Sequence, residues 1–95
     1  MSKVVASNFK IYILKTRESL HLRLTGDFDG SSAYELINTL KEHGTSSWDI
    51  FIDTNDLKTI HTFGKDVFQK NLNSIKKQLK NLIIFGANKY NFAQD

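Results

Sequence analysis

Two carboxylates separated by a single residue, Asp27 and Asp29, stand in the run Asp27-Phe28-Asp29-Gly30-Ser31. Held on a loop, such a pair can point at one cation. The simpler role is structural, because aspartates just before a helix favour the positive end of its dipole. Counted from Asp27, the twelfth position is Asn38, where a helix-loop-helix calcium loop needs a bidentate glutamate. His21, His43 and His61 lack ligand spacing, so no metal and no other cofactor is expected. The absence of cysteine excludes thiolate zinc sites, disulfide scaffolds and cysteine nucleophiles. Neither a Gly-x-x-x-x-Gly-Lys-Ser/Thr phosphate loop nor a Gly-x-Ser-x-Gly elbow occurs.

The second stretch with chemical content is Asp53-Thr54-Asn55-Asp56-Leu57-Lys58-Thr59-Ile60-His61-Thr62-Phe63-Gly64-Lys65. Read as a connection from strand to helix it is longer than most. It follows an expected central strand, and open α/β sheets bind ligands beyond the carboxyl ends of such strands. Leu57 and Ile60 can tuck inward, leaving His61, Thr62 and Phe63 at a helix entrance. Thr62 fits there as an N-cap, its hydroxyl accepting an amide of the next turn. A functional hydroxyl is compatible with that role.

The elements that must position these groups follow from periodicity. Phe9, Ile11 and Ile13 alternate with Lys10 and Tyr12 as a half-buried strand does, with Leu14 marking its end. Leu20, Leu22 and Leu24 alternate with polar residues as its antiparallel hairpin partner. Residues 26–32 read as a loop, and Ser32 with Glu35 has capping-box spacing. Ala33, Leu36, Ile37 and Leu40 then give a helix one apolar face, with Gly44 suited to a left-handed stop. The runs Ile50-Phe51-Ile52 and Leu82-Ile83-Ile84-Phe85 resemble strands covered on both faces. Between them a second helix carries Val67, Phe68, Leu72, Ile75 and Leu79 on one side. Residues 87–95 start a further helix without completing it. The order is β-β-α-β-α-β, an α/β fold with a mixed sheet of about four strands and helices packed on it.

With 95 residues, the chain is expected to form one domain spanning 1–95. Its thirteen basic and ten acidic residues leave a charge of +3, too small an excess for a nucleic-acid binder. The lysines at 65, 70, 76, 77 and 80 solvate a helix face without interleaved aromatics, so no nucleic-acid partner is expected. The longest apolar run, four residues, is far below the ~18 of a membrane span. Residues 1–10 show no secretory leader, which favours a cytoplasmic location.

Two resemblances bear on function. Asp27-Phe28-Asp29-Gly30-Ser31 looks like the Asp-x-Asp-Gly-Thr opening of haloacid-dehalogenase-type phosphatases. It would imply a small magnesium-dependent phosphatase-like enzyme using Asp27 and Asp29. That family needs a larger domain with a later lysine and a further acidic cluster. The second resemblance covers residues 9–86 and is to the STAS domain family, the sulfate-transporter and anti-sigma-factor-antagonist fold. Leu22-Arg23-Leu24-Thr25-Gly26-Asp27-Phe28-Asp29 is similar to that family's strand ending in Gly-x-apolar-Asp. Ile52-Asp53 with Leu57 and Ile60 resembles its apolar-Asp-Leu-Ser-x-Val-x-Phe-Ile stretch, and His61-Thr62-Phe63-Gly64 falls on its Asp-Ser-Ser-Gly motif. His61 replaces the motif's Asp and Phe63 its second Ser.

The STAS resemblance implies a bacterial, non-enzymatic regulatory module in a partner-switching pathway. Thr62 takes the place of the residue phosphorylated by an anti-sigma kinase. The protein partner would be an anti-sigma factor or kinase, with a phosphatase reversing the mark. The implied partner surface is Asp27, Asp29, Ser31, His61, Phe63, Gly64 and Lys65. A divergent STAS scaffold that takes no phosphate, or a homodimer, is the alternative within the same resemblance.

Overall fold

The alternating leucines at 20, 22 and 24 fix one strand of a four-stranded sheet whose spatial order repeats the chain order. The structure is a computed structural model and describes residues 8–93. Residues 1–7, which carry most of the leader reading, and 94–95 lie outside the described residues. The strands are Lys10–Lys15 (β1), Ser19–Phe28 (β2), Asp49–Ile60 (β3) and Asn81–Phe85 (β4). The helices are Gly30–His43 (α1), Thr62–Ile75 (α2) and the short Lys89–Ala93 (α3). Strand β1 runs antiparallel to β2, while β2, β3 and β4 are mutually parallel. The α/β class and the β-β-α-β-α-β order are therefore those expected.

Alternation along β2 and β3 sorts side chains between two unlike faces. Leu20, Leu22, Leu24, Ile50 and Ile52 are buried with Ala33, Leu36, Ile37 and Leu40 of α1 and Val67, Phe68 and Ile75 of α2. The other face is open, so the expectation that β3 and β4 are covered on both sides is corrected. There the register aligns Tyr12, Arg23, Asp53 and Phe85 in one row and Leu14, His21, Phe51 and Ile83 in the next. Arg23 lies 4.4 Å from the Tyr12 ring centre, and the rings of His21 and Phe51 stack at 4.8 Å. At the far end of the sheet Phe28 meets Phe9, Phe68 and Phe92 at 5.6, 6.2 and 4.6 Å between ring centres. Phe92 thereby docks α3 on the core.

Several boundaries differ from expectation, each for a physical reason. Residues 26–32 are no loop: β2 continues to Phe28 and α1 begins at Gly30. Residues 53–65 are no loop either, since β3 runs on to Ile60 beside β2. The pairing skips at Arg23/Thr25 and Gly26/Asp27, each time with an extra residue in β3. These bulges break the period of two, hiding the strand. Gly26 sits at φ +89°, which a side chain would strain, and a Cβ there would lie 2.7 Å from the Asn8 carbonyl carbon. Gly44 is right-handed, at φ −74°, and opens a 3-10 turn; a side chain there would crowd Ile50 and Leu79.

Candidate functional site

Because β2, β3 and β4 are parallel, their carboxyl ends all open on one end of the sheet, and each leads to a helix there. Asp29 is the N-cap of α1: its carboxylate accepts the Ser32 amide at 2.9 Å. The Ser31 and Ser32 hydroxyls donate to the same oxygen at 3.0 and 2.9 Å. The expected cap at Ser32 is thus corrected, since its hydroxyl serves as a donor to the true cap. His61 is the N-cap position of α2, in extended conformation and without a side-chain capping bond. Thr62 is accordingly the first helical residue and not the cap, and its side chain is exposed.

The two helix starts are joined directly. The His61 amide donates to the Phe28 carbonyl at 2.9 Å. Gly64 is buried, and a Cβ on it would stand 2.6 Å from the Asp29 carbonyl carbon and oxygen. Its missing side chain lets α2 lie against the chain entering α1. Phe63, 70% exposed, rests its ring edge over Gly30. Asp27 accepts the Thr59 hydroxyl at 2.6 Å across the β2–β3 pair. The structure thus gathers Asp27, Asp29, Ser31, His61, Thr62, Phe63, Gly64 and Lys65 at one end of the sheet and divides them. Phe63 and Gly64 adjoin α1, whereas Thr62 and Lys65 line a groove of about 290 Å³ with Lys58, Ile60, Asn88 and Asn91.

Sequence reasoning missed Tyr34, Lys58, Asn88 and Asn91. Tyr34 is 54% exposed and four residues after Gly30, hence on the same side of α1. That spacing was available as a signal. The other three come from β3 and the β4–α3 region, which only the parallel topology brings together.

Electrostatics at this end centre on Asp29. The Ser32 amide foremost, then the Ser32 and Ser31 hydroxyls and the nearby His61, hold its carboxyl below the ordinary aspartate value against an opposing effect of burial. A lowered folded pKa stabilises the fold above the unfolded value near 3.9, and that contribution disappears as pH falls through the folded value. Asp29→Ala should therefore cost about 1 kcal/mol at neutral pH. Urea unfolding at pH 7 and again below about pH 3 should show the difference between variant and parent shrinking in acid. Among the described residues no group of three or more His, Cys, Asp or Glu could hold a metal ion, and no helix is long and apolar enough to cross a membrane.

No family model and no curated protein matches the chain. Solved structures do. A crystal structure of an antisigma-factor antagonist, STAS domain, from Rhodobacter sphaeroides aligns at TM-score 0.66 and 11% identity, over 85% of this chain and 89% of that one. The chain has the STAS fold. A second STAS-fold match is the anti-sigma factor antagonist SpoIIAA in its unphosphorylated form, at TM-score 0.61 and 13% identity over 90% of this chain and 79% of that one. The crystal structure of Mglu contains the same fold as a part: TM-score 0.67 and 11% identity over 77% of this chain, which spans 18% of that one.

Proposed function

We propose that the chain is a STAS-type regulatory module that binds another protein through the α1–α2 entrance and is switched by phosphorylation of Thr62. The observation that carries this reading is the exposed Thr62 side chain in the first turn of α2, beside the exposed aromatic Phe63. Free amides at a helix start tolerate an added phosphate, so the domain need not unfold to accept it. The added charge of about −1.5 to −2 would then sit beside the apolar anchor and oppose docking of an apolar or acidic partner. Phe63, Tyr34 and Ser31 form the contact surface, with Gly64 setting the spacing of the two helix starts beneath it.

The transfer draws on a partner kinase and a nucleoside triphosphate. The bond from the γ-phosphorus to its bridging oxygen breaks, a bond to Thr62 Oγ1 forms, and the hydroxyl proton passes to a base on the kinase. A bacterial cytoplasmic setting with an anti-sigma-like kinase and an opposing phosphatase accords with this chemistry. The non-enzymatic reading is supported by Asp27 and Asp29, whose carboxylates are engaged with Thr59 and the α1 cap. Intact-mass measurement of protein isolated from its native cells is expected to show a fraction carrying one phosphate, absent in Thr62→Ala. A phosphate that persists in Thr62→Ala, or none in any growth condition, overturns the switch.

A second reading, a self-associating STAS scaffold, is favoured by the open face of the sheet. Leu14 is 63% exposed there, in rows with Tyr12, Ile83 and Phe85. Sedimentation equilibrium should then show a dimer that Leu14→Lys dissociates. A monomer at all concentrations removes this reading.

A further inference from the structure

The groove beside Thr62 has a composition unlike the rest of the site. It is walled by Lys58 and Ile60 of β3, Thr62 and Lys65 of α2, Asn88 of the β4–α3 connection and Asn91 of α3. Among the described residues neither lysine has a carboxylate within ion-pairing distance, the pairs there being Arg23–Asp56 and His43–Glu42. The two aspartates at this end of the sheet are engaged elsewhere, Asp27 by Thr59 and Asp29 by α1. Among the described residues, the groove therefore holds two cations outside any ion pair and a hydroxyl that can carry an anion.

One wall is rigid before any ligand arrives. Thr54 is fully buried, and its hydroxyl donates to the Phe85 carbonyl at 2.9 Å and accepts the Asn88 amide at 3.3 Å. The Asn88 side chain donates to the Thr54 and Leu57 carbonyls at 2.8 and 3.2 Å. These bonds tie the start of α3 to the bulged part of β3, which also carries Lys58. A binding group held in place beforehand loses less conformational entropy on binding.

We propose that this groove is the cradle of the phosphoryl group on Thr62, with Lys58 and Lys65 as its cationic sides and Asn91 as a neutral donor. The inference rests on the reading of Thr62 as the phosphorylated residue and adds what receives the phosphate. Charge-assisted hydrogen bonds to the lysines favour the dianion over the monoanion. The modified state is then held by the chain's own residues, and the cradle slows access by a phosphatase.

The test installs phosphothreonine at position 62 of the full chain by genetic-code expansion, so no kinase is needed. Phosphorus NMR across the range about its ordinary second pKa near 6 reads the protonation of the phosphate. The wild-type cradle is expected to lower that pKa by about half a unit or more, and Lys58→Gln together with Lys65→Gln to restore it. Lys58→Gln alone should restore part of the shift, and Lys70→Gln, on the outer part of α2, none. A second pKa at its ordinary value in the parent protein overturns the cradle. So does a lowered value that survives loss of both lysines, which would assign the effect to the helix amides and the neighbouring His61. Because the phosphate is placed synthetically, these outcomes are independent of whether cells modify Thr62. An unphosphorylated native protein would sink the switch and leave the cradle measurement standing.

Discussion

Phe28→Ala should destabilise the domain by about 3–5 kcal/mol, the usual cost of removing a fully buried phenylalanine. A chain of 95 residues has a total stability of about 5–14 kcal/mol. The variant is therefore expected to lose a large part of it, and at the lower end to be largely unfolded at room temperature. Position explains the size of the effect. Phe28 is the last residue of β2 and touches Phe9 before β1, Phe68 in α2 and Phe92 in α3. Its ring is the contact that Phe9, Phe68 and Phe92 share with β2, and Phe68 and Phe92 already meet each other at 4.9 Å between ring centres, so truncation leaves a cavity lined by packed rings. Urea unfolding followed by circular dichroism measures the loss. Phe63→Ala, at the exposed aromatic, is the comparison and should stay within about 0.5 kcal/mol of the parent. A Phe28→Ala cost below about 1.5 kcal/mol would mean that the cluster is not the keystone described.

Gly64→Ala comes next in size, with an expected cost of about 2–3 kcal/mol. One added methyl would sit 2.6 Å from the carbon and oxygen of the Asp29 carbonyl, which is backbone and cannot rotate aside. The helix starts must part, stretching the bond between the His61 amide and the Phe28 carbonyl. Gly30→Ala is the informative contrast. Its Cβ would meet only the edge of the Phe63 ring at 2.7 Å, and that ring is exposed and free to swing. Alanine also forms helix more readily than glycine by about 1 kcal/mol, so Gly30→Ala should be near neutral for stability. If the proposed contact surface is right, it should nevertheless weaken partner binding by displacing Phe63. Equal costs for the two glycines would contradict the close approach at Gly64.

How much of this was legible depended on whether a signal was local. The alternation of Leu20, Leu22 and Leu24 and the spacing of Ala33, Leu36, Ile37 and Leu40 reported directly which faces are buried, because neighbours along the chain carry the pattern. The apolar runs at 50–52 and 82–85 located two strands but misreported their surroundings: Phe51, Ile83 and Phe85 are apolar on a face that no element among the described residues covers. The second half of β3 was lost because two extra residues put it out of phase, and because Asn55, Asp56, Lys58 and Thr59 read as loop chemistry. Ser32 imitated a cap since it has the right partner three residues on, yet Asp29 reaches the Ser32 amide first. The surroundings of Thr62 were readable only as far as its sequence neighbours. Lys58, Asn88 and Asn91 join it through the parallel pairing of β3 and β4, a long-range fact that no local spacing reports.

That strand order follows chain order has a consequence for how the molecule is made. No strand must be inserted between two that have already paired, so the sheet can grow from one edge as the polypeptide leaves the ribosome. Strands β1 and β2 form a local hairpin, and each later strand closes onto the one synthesised just before it. The aromatic keystone is completed only when Phe92 arrives. The contacts of Phe92 with Phe28 and Phe68 therefore become possible only when nearly the whole described chain has emerged.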